Sequence, residues 1–166
     1  EGVFVGFDVA IGNPPYIALQ KMKEEQPFFE KLQFETYTKL ADIYCLFYER
    51  GIQLLKQKGH LTYITSNSWM KTQYGELLRK FFIEKSNPVS LLNIEDTQIF
   101  KEATVESNII VLQKSKWSHN LLGCSLKSDF DTSISLLDYF QSNNLLIPEL
   151  SNSEWNIGSN NETLLK

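Results

Sequence analysis

From Phe7 the chain runs Phe-Asp-Val-Ala-Ile, then meets Gly12 and two prolines. An apolar run of that length, closed by turn residues, predicts a strand over 7–11. Residues 17–35 hold no steady period around Pro27 and read as an irregular excursion with a short helical turn. From Lys39 to Gln57 the spacing turns helical. Leu40, Ile43, Tyr44, Phe47, Leu54 and Leu55 share one face, and Ala41, Cys45, Tyr48 and Ile52 widen it, so the helix is expected to be largely buried. Lys56, Lys58 and Gly59 form its stop signal. Leu61–Thr65 predicts a second strand, closed by the polar turn Ser66-Asn67-Ser68. A second helix is predicted over 74–85, with Leu77, Leu78, Phe81 and Phe82 inward and Asn87-Pro88 at its end. Strands follow over 89–94 and 107–113, and Ile109-Ile110-Val111-Leu112 suits a strand covered on both faces.

The order strand, helix, strand, helix, strand, strand begins as an α/β crossover pattern. The last two strands have only a turn around Phe100–Val105 between them, so they are expected to be antiparallel neighbours. After Lys116 the composition shifts to Ser, Asn and Asp. A helix is predicted over 133–141, with Ile134, Leu137 and Phe140 inward and Thr132 as its cap. A short apolar run, Leu145–Ile147, precedes Pro148, and residues 151–163 read as a polar linker.

Composition narrows the class. The 166 residues suit one domain, or one domain with an appendage, and 42% hydrophobic with 13% aromatic content can fill a core. The net charge is −4, from 16 basic and 20 acidic residues. That argues against a protein that coats nucleic acid electrostatically, but not against an enzyme that grips it at a few points. Cys45 and Cys124 are far apart with no ligand-spaced partner, which fits structural thiols in a reducing cytoplasm. No apolar run of membrane-spanning length occurs. The chain opens on Glu1 without a basic leader, almost directly into a strand, and is expected to be a piece of a longer protein.

The candidate chemistry lies at Asn13-Pro14-Pro15-Tyr16, just beyond the carboxyl end of the first strand, where α/β enzymes place their sites. The Asn13 amide has a carbonyl acceptor. Pro15 has no N–H and restricts Pro14 to extended backbone, so the Pro14 carbonyl can be held toward a pocket. Two acceptors then suit the two hydrogens of a planar –NH₂ group, and Tyr16 offers a ring for stacking. An exocyclic or amide nitrogen is a weak nucleophile, because its lone pair is delocalised. Accepting both N–H hydrogens favours the tetrahedral nitrogen of the transition state, with no metal or classical nucleophile required. A Pro-Pro pair alone would be only a rigid loop; the flanking Asn, aromatic and strand favour the functional reading.

GFDVAIGNPPYI resembles the catalytic motif of the amino-methylating DNA methyltransferases that use S-adenosylmethionine. The match is to the adenine-specific enzymes of restriction–modification systems, fused endonuclease–methyltransferases among them. ADIYCLFYERGIQLLKQKGHLTYITSNSWMKTQYGELLRKFF is similar to the helix–strand–loop–helix that follows in the family. IFKEATVESNIIVLQKS is similar to its later base-contacting segment. The resemblance spans about residues 5–115. It implies an α/β fold, a partial Rossmann-like S-adenosylmethionine-dependent methyltransferase fold made of the later strands with flanking helices and an antiparallel last pair. It implies that Asn13 and the Pro14 carbonyl accept from the target amine, that Tyr16 stacks on the flipped adenine, and that Phe100 contacts its other face. Phe100 could equally be an ordinary core aromatic. Trp69 shares the rim, with packing as its first expected role. Asp8 is left open between a hydrogen bond behind the tetrad and an edge position facing solvent. His60 and His119 stand singly and receive no catalytic role.

The resemblance also sets expectations about what this chain lacks. The family binds S-adenosylmethionine on a Gly-rich turn after its first strand, and no Gly-x-Gly occurs here. Residues 1–116 are therefore expected to be the C-terminal half of a catalytic domain, and 117–166 a helix and linker leading toward a target-recognition domain. The parent is expected to act on double-stranded DNA in a bacterial or archaeal cytoplasm, and this chain alone to be inactive. The first strand should expose an apolar edge and favour self-association. Two further readings remain open: a protein-glutamine or ribosomal RNA methyltransferase, and an inactive DNA-binding subunit.

Overall fold

The computed structural model describes residues 4–95, 106–126, 130–131 and 133–157. The elements in chain order are β1 (Phe7–Gly12), α1 (Gln26–Lys31), α2 (Tyr44–Leu54), β2 (Leu55–Ser66), α3 (Glu76–Lys85), β3 (Asn87–Ile94), β4 (Ser107–Gln113), β5 (Leu121–Leu126), α4 (Leu136–Asn143) and β6 (Leu145–Ile147). The strands form one mixed sheet in the order β1-β2-β4-β3-β5-β6. β1 and β2 run parallel around α2, and β3 and β5 are also parallel. β4 lies between β2 and β3, antiparallel to both, so the expected antiparallel pair is present. The carboxyl ends of β1, β2, β3 and β5 and the start of β4 share one rim.

Helices α2 and α3 cover one face. Tyr44, Cys45, Tyr48, Ile52, Leu78 and Phe82 pack there on Leu61, Leu91, Ile110 and Leu112 of the sheet. α4 covers the other face, over Leu92, Ile94, Cys124 and Leu126. α3 carries Glu76 in its first turn and Lys85 in its last, each favourable to the helix dipole. Ser86 Oγ then donates to the Phe82 carbonyl at 2.8 Å, and Pro88 prevents continuation.

The structure departs from the sequence expectation in several places. α2 starts at Tyr44, not Lys39, because the preceding residues close the excursion back onto the tetrad's exit. Leu19 N–H donates to the Ala41 carbonyl and Ile43 N–H to the Ile17 carbonyl, each at 2.9 Å. α2 ends at Leu54, and β2 begins six residues earlier than expected. Its polar start, Lys56–Lys58, extends because Lys58 N–H pairs with the Lys114 carbonyl at 2.9 Å. The stop near Gly59 is a bend within β2, with Lys58 at φ 66°.

β5 and β6 add two strands to the four expected. The reading of 151–163 as linker is corrected for its described part. Trp155 and Ile157 are buried in the main core. Ser135, not Thr132, caps α4, accepting from Asp138 N–H at 3.1 Å; Thr132 lies outside the described residues.

Candidate active site

The tetrad leaves β1 directly at the rim. Gly12 leaves close room there: a Cβ would meet the Tyr63 ring of the neighbouring strand at 3.1 Å. Asn13 and Pro15 are exposed, Pro14 is buried, and Tyr16 is half-buried. The Tyr16 hydroxyl donates to the Ile64 carbonyl near the end of β2 at 3.2 Å. Its ring meets Tyr44 edge-on, centroids 6.1 Å apart. Burial pushes the Tyr16 phenol up, and a hydrogen bond with the Ser107 side chain pulls partly back. Tyr16 is thus a neutral phenol pinned to β2 and β4.

Behind it runs a column of rings: Tyr44 to Tyr48, Tyr48 to Phe82, Phe82 to Trp69 and Trp69 to Trp155. Tyr48 hydrogen-bonds Thr65 at 2.9 Å, and Tyr44 hydrogen-bonds Tyr74 at 3.0 Å, which itself donates to Asp42 at 3.0 Å. The Tyr44, Tyr48 and Tyr74 hydroxyls of this cluster are thus all hydrogen-bonded, as burial of a hydroxyl favours.

One residue in from the rim, the sheet registers four polar side chains in a row: Thr65, Asn108, Asn93 and Ser125. All are buried. The Asn108 amide donates to the Ser66 carbonyl at 3.1 Å, and Ser125 Oγ to the Ile157 carbonyl at 2.8 Å. Asn67, at the turn beyond β2, donates to Asn93 Oδ1 at 3.0 Å and to Glu106 Oε2 at 3.2 Å. Sequence reasoning passed over this network. Its available signal was asparagine at 93 and 108, a residue strands disfavour, set in otherwise apolar runs.

The turn from Ser68 to Gly75 is held from behind. Arg79, buried on α3, donates to the Trp69 and Thr72 carbonyls and, at 2.9 Å, to the Asn152 carbonyl. Desolvation lowers its guanidinium pKa, with the Glu76 and Glu154 charges acting against that. Trp155 N–H reaches the Met70 carbonyl at 2.9 Å. Trp69 is fully buried among Phe82 and Trp155, so packing is its role. Asp8 pairs with Lys56 at 2.9 Å on the exposed edge, which rules out a place behind the tetrad. His60 contacts Gln113, and His119 stacks on Trp117, both away from the rim. Cys45 and Cys124 are buried free thiols. Phe100 lies outside the described residues.

Residues 2–100 match the family described as Eco57I restriction-modification methylase. The chain belongs to that family. This Eco57I-family chain is 37% identical over 111 residues to the type II restriction enzyme and methyltransferase RM.Eco57I of Escherichia coli, covering 65% of the chain and 11% of that protein. It is 33% identical over 94 residues to the type II methyltransferase M.XhoI of Xanthomonas vasicola, covering 57% of the chain and 17% of that protein. It spans less than a fifth of either. Its fold matches a crystal structure from Listeria monocytogenes, described as a class I S-adenosylmethionine-dependent methyltransferase. The TM-score is 0.59 at 20% identity, over 85% of this chain and 44% of that one. Family and fold together imply S-adenosylmethionine as methyl donor. No helix among the described residues is long and apolar enough to cross a membrane.

Proposed function

We propose that this chain carries the acceptor half of a site-specific adenine methyltransferase of a restriction–modification system, acting on double-stranded DNA. The observation that carries the reading is the setting of the tetrad. Asn13 stands exposed at the rim, Pro14 is buried beneath it, and Tyr16 is fixed by the Ile64 carbonyl. An adenine turned out of the duplex stacks on Tyr16. Asn13 Oδ1 and the Pro14 carbonyl accept the two hydrogens of its exocyclic amine. As that nitrogen gains its bond to carbon it turns tetrahedral and acidic, and the same two acceptors hold the developing positive charge until a proton leaves to solvent. Phe100 is assigned the opposite face of the base. The donor, when bound, supplies an electrophilic methyl group; its main binding loop belongs to another part of the whole protein. The net charge of −4 agrees with a grip on DNA made at a few points.

The test is Asn13→Ala in the full-length parent, assayed by transfer of a tritiated methyl group to unmethylated bacteriophage DNA. Loss of one transition-state acceptor should lower kcat by about 10²–10³. Unchanged turnover would sink the assignment. We further propose that the isolated chain self-associates along β1. Val9 is 55% exposed and Ile11 79%, and among the described strands only β2 pairs with β1.

A further inference from the structure

One short turn touches Glu106 and, through Asn93 and Lys71, Glu95. Asn67 takes Glu106 twice: its backbone N–H donates to the Glu106 carbonyl at 3.1 Å, and its side chain donates to Glu106 Oε2 at 3.2 Å. Its second amide hydrogen goes to Asn93 Oδ1 at 3.0 Å, and Asn93 Nδ2 in turn donates to Glu95 Oε1 at 2.7 Å. Four residues on, Lys71 pairs with the same Glu95 oxygen at 3.6 Å. Both donor hydrogens of the Asn67 amide are used, and the side chain is nearly enclosed. The strand leading into this turn supplies the Ile64 carbonyl that holds Tyr16. Ser107, paired with Ser66 across the sheet, contacts the same phenol.

Two carboxylates at neighbouring strand ends repel each other unless something bridges them. Neutral amides are suited to that task, because an amide can donate one way and accept the other along a chain. We infer that Asn67 is a positioning residue: through Asn93 and Glu106 it fixes the separation of Glu95 and Glu106, and ties that separation to the strand end on which Tyr16 rests. This rests on the proposed function for its catalytic consequence, but not for its geometry. The residue touches no reacting atom.

The experiment compares Asn67→Ala, the near-isosteric Asn67→Asp and the parent, all full length. Asn67→Asp keeps the shape, loses both donor hydrogens and adds a charge beside Glu106. It serves should Asn67→Ala fail to fold. Hydrogen exchange reads the geometry without catalysis. The Glu95 N–H, which donates to the Leu126 carbonyl at 3.1 Å, and the amide at position 67 should both exchange about tenfold faster in either variant, since a lost hydrogen bond to a charged group is worth that much. Exchange at His60, in the middle of β2, should not change. Methyl transfer to unmethylated bacteriophage DNA should lose about tenfold in kcat with the KM for S-adenosylmethionine unchanged. Exchange at Glu95 equal to the parent, or a KM rise for the donor that accounts for the whole loss, would overturn the inference. Asn13→Ala, run alongside, separates the two ideas. If it methylates normally the proposed function falls, while the exchange result still decides the role of Asn67.

Discussion

Under the proposed function Tyr16 is both a platform and part of a wall. Its hydroxyl holds the Ile64 carbonyl, and its ring crosses that of Tyr44 at 80°. The two duties are separable. Tyr16→Phe removes only the tether and should cost about 1 kcal/mol, near fivefold in methyl transfer, whereas Tyr16→Ala removes the platform and should weaken capture of the extrahelical base by about 1–3 kcal/mol. A 2-aminopurine target base, bright when unstacked, reads the second effect directly. Equal losses in the two variants would mean the ring face is not used. At this scale the sequence was informative about identity and silent about support. Asn13 to Tyr16 stood out because their chemistry is local, while Asn67 lies 26 residues from Asn93 and 39 from Glu106 and meets them only through strand register.

Elements were legible where period and burial agree. α3 has Leu78, Phe81 and Phe82 inward as its spacing requires, although Leu77 stays 39% exposed. The antiparallel β3/β4 pairing followed from the lack of a predicted helix between them. β5 was missed because Leu121–Leu126 carries Gly123, Cys124 and Ser125, poor strand formers. A Cβ at 123 would meet Ile147 Cδ1 at 2.6 Å and Ile157 at 3.2 Å, so the ends of those side chains would have to shift. The 151–157 segment looked like linker because its composition is polar, yet one indole and one guanidinium bind it to α3 and the turn before it. Trp155→Ala should therefore cost about 3–5 kcal/mol of unfolding free energy, the price of emptying a large buried site. Urea denaturation of the isolated chain checks this, and a change below 1 kcal/mol would restore the linker reading.

Among the described residues the sheet is covered on both faces at its centre and left bare at β1. Phe7, Val9 and Ile11 are at least half exposed along that strand. Sedimentation of the isolated chain should show concentration-dependent dimers, and Val9→Lys with Ile11→Lys should return it to a monomer. The buried phenols give a second property of the whole. Desolvation raises Tyr44 and Tyr48 far above the ordinary tyrosine range and Tyr74 to about 12. Unfolded tyrosines ionise near pH 10, so above that the unfolded chain sheds protons that the folded chain keeps. Stability is whole below about pH 10 and falls as pH climbs past it. Tyrosinate absorbance should rise together with the loss of far-ultraviolet ellipticity, and early ionisation in a still-folded chain would contradict it. The ring column has an optical consequence as well. Trp69 and Trp155 sit 5.3 Å apart, both out of water, at the turn that carries Asn67. Indoles in dry surroundings emit at short wavelength and shift to the red on hydration. The protein thus carries an indole pair whose emission should shift to the red when this part of the core opens, so its unfolding can be followed without a label.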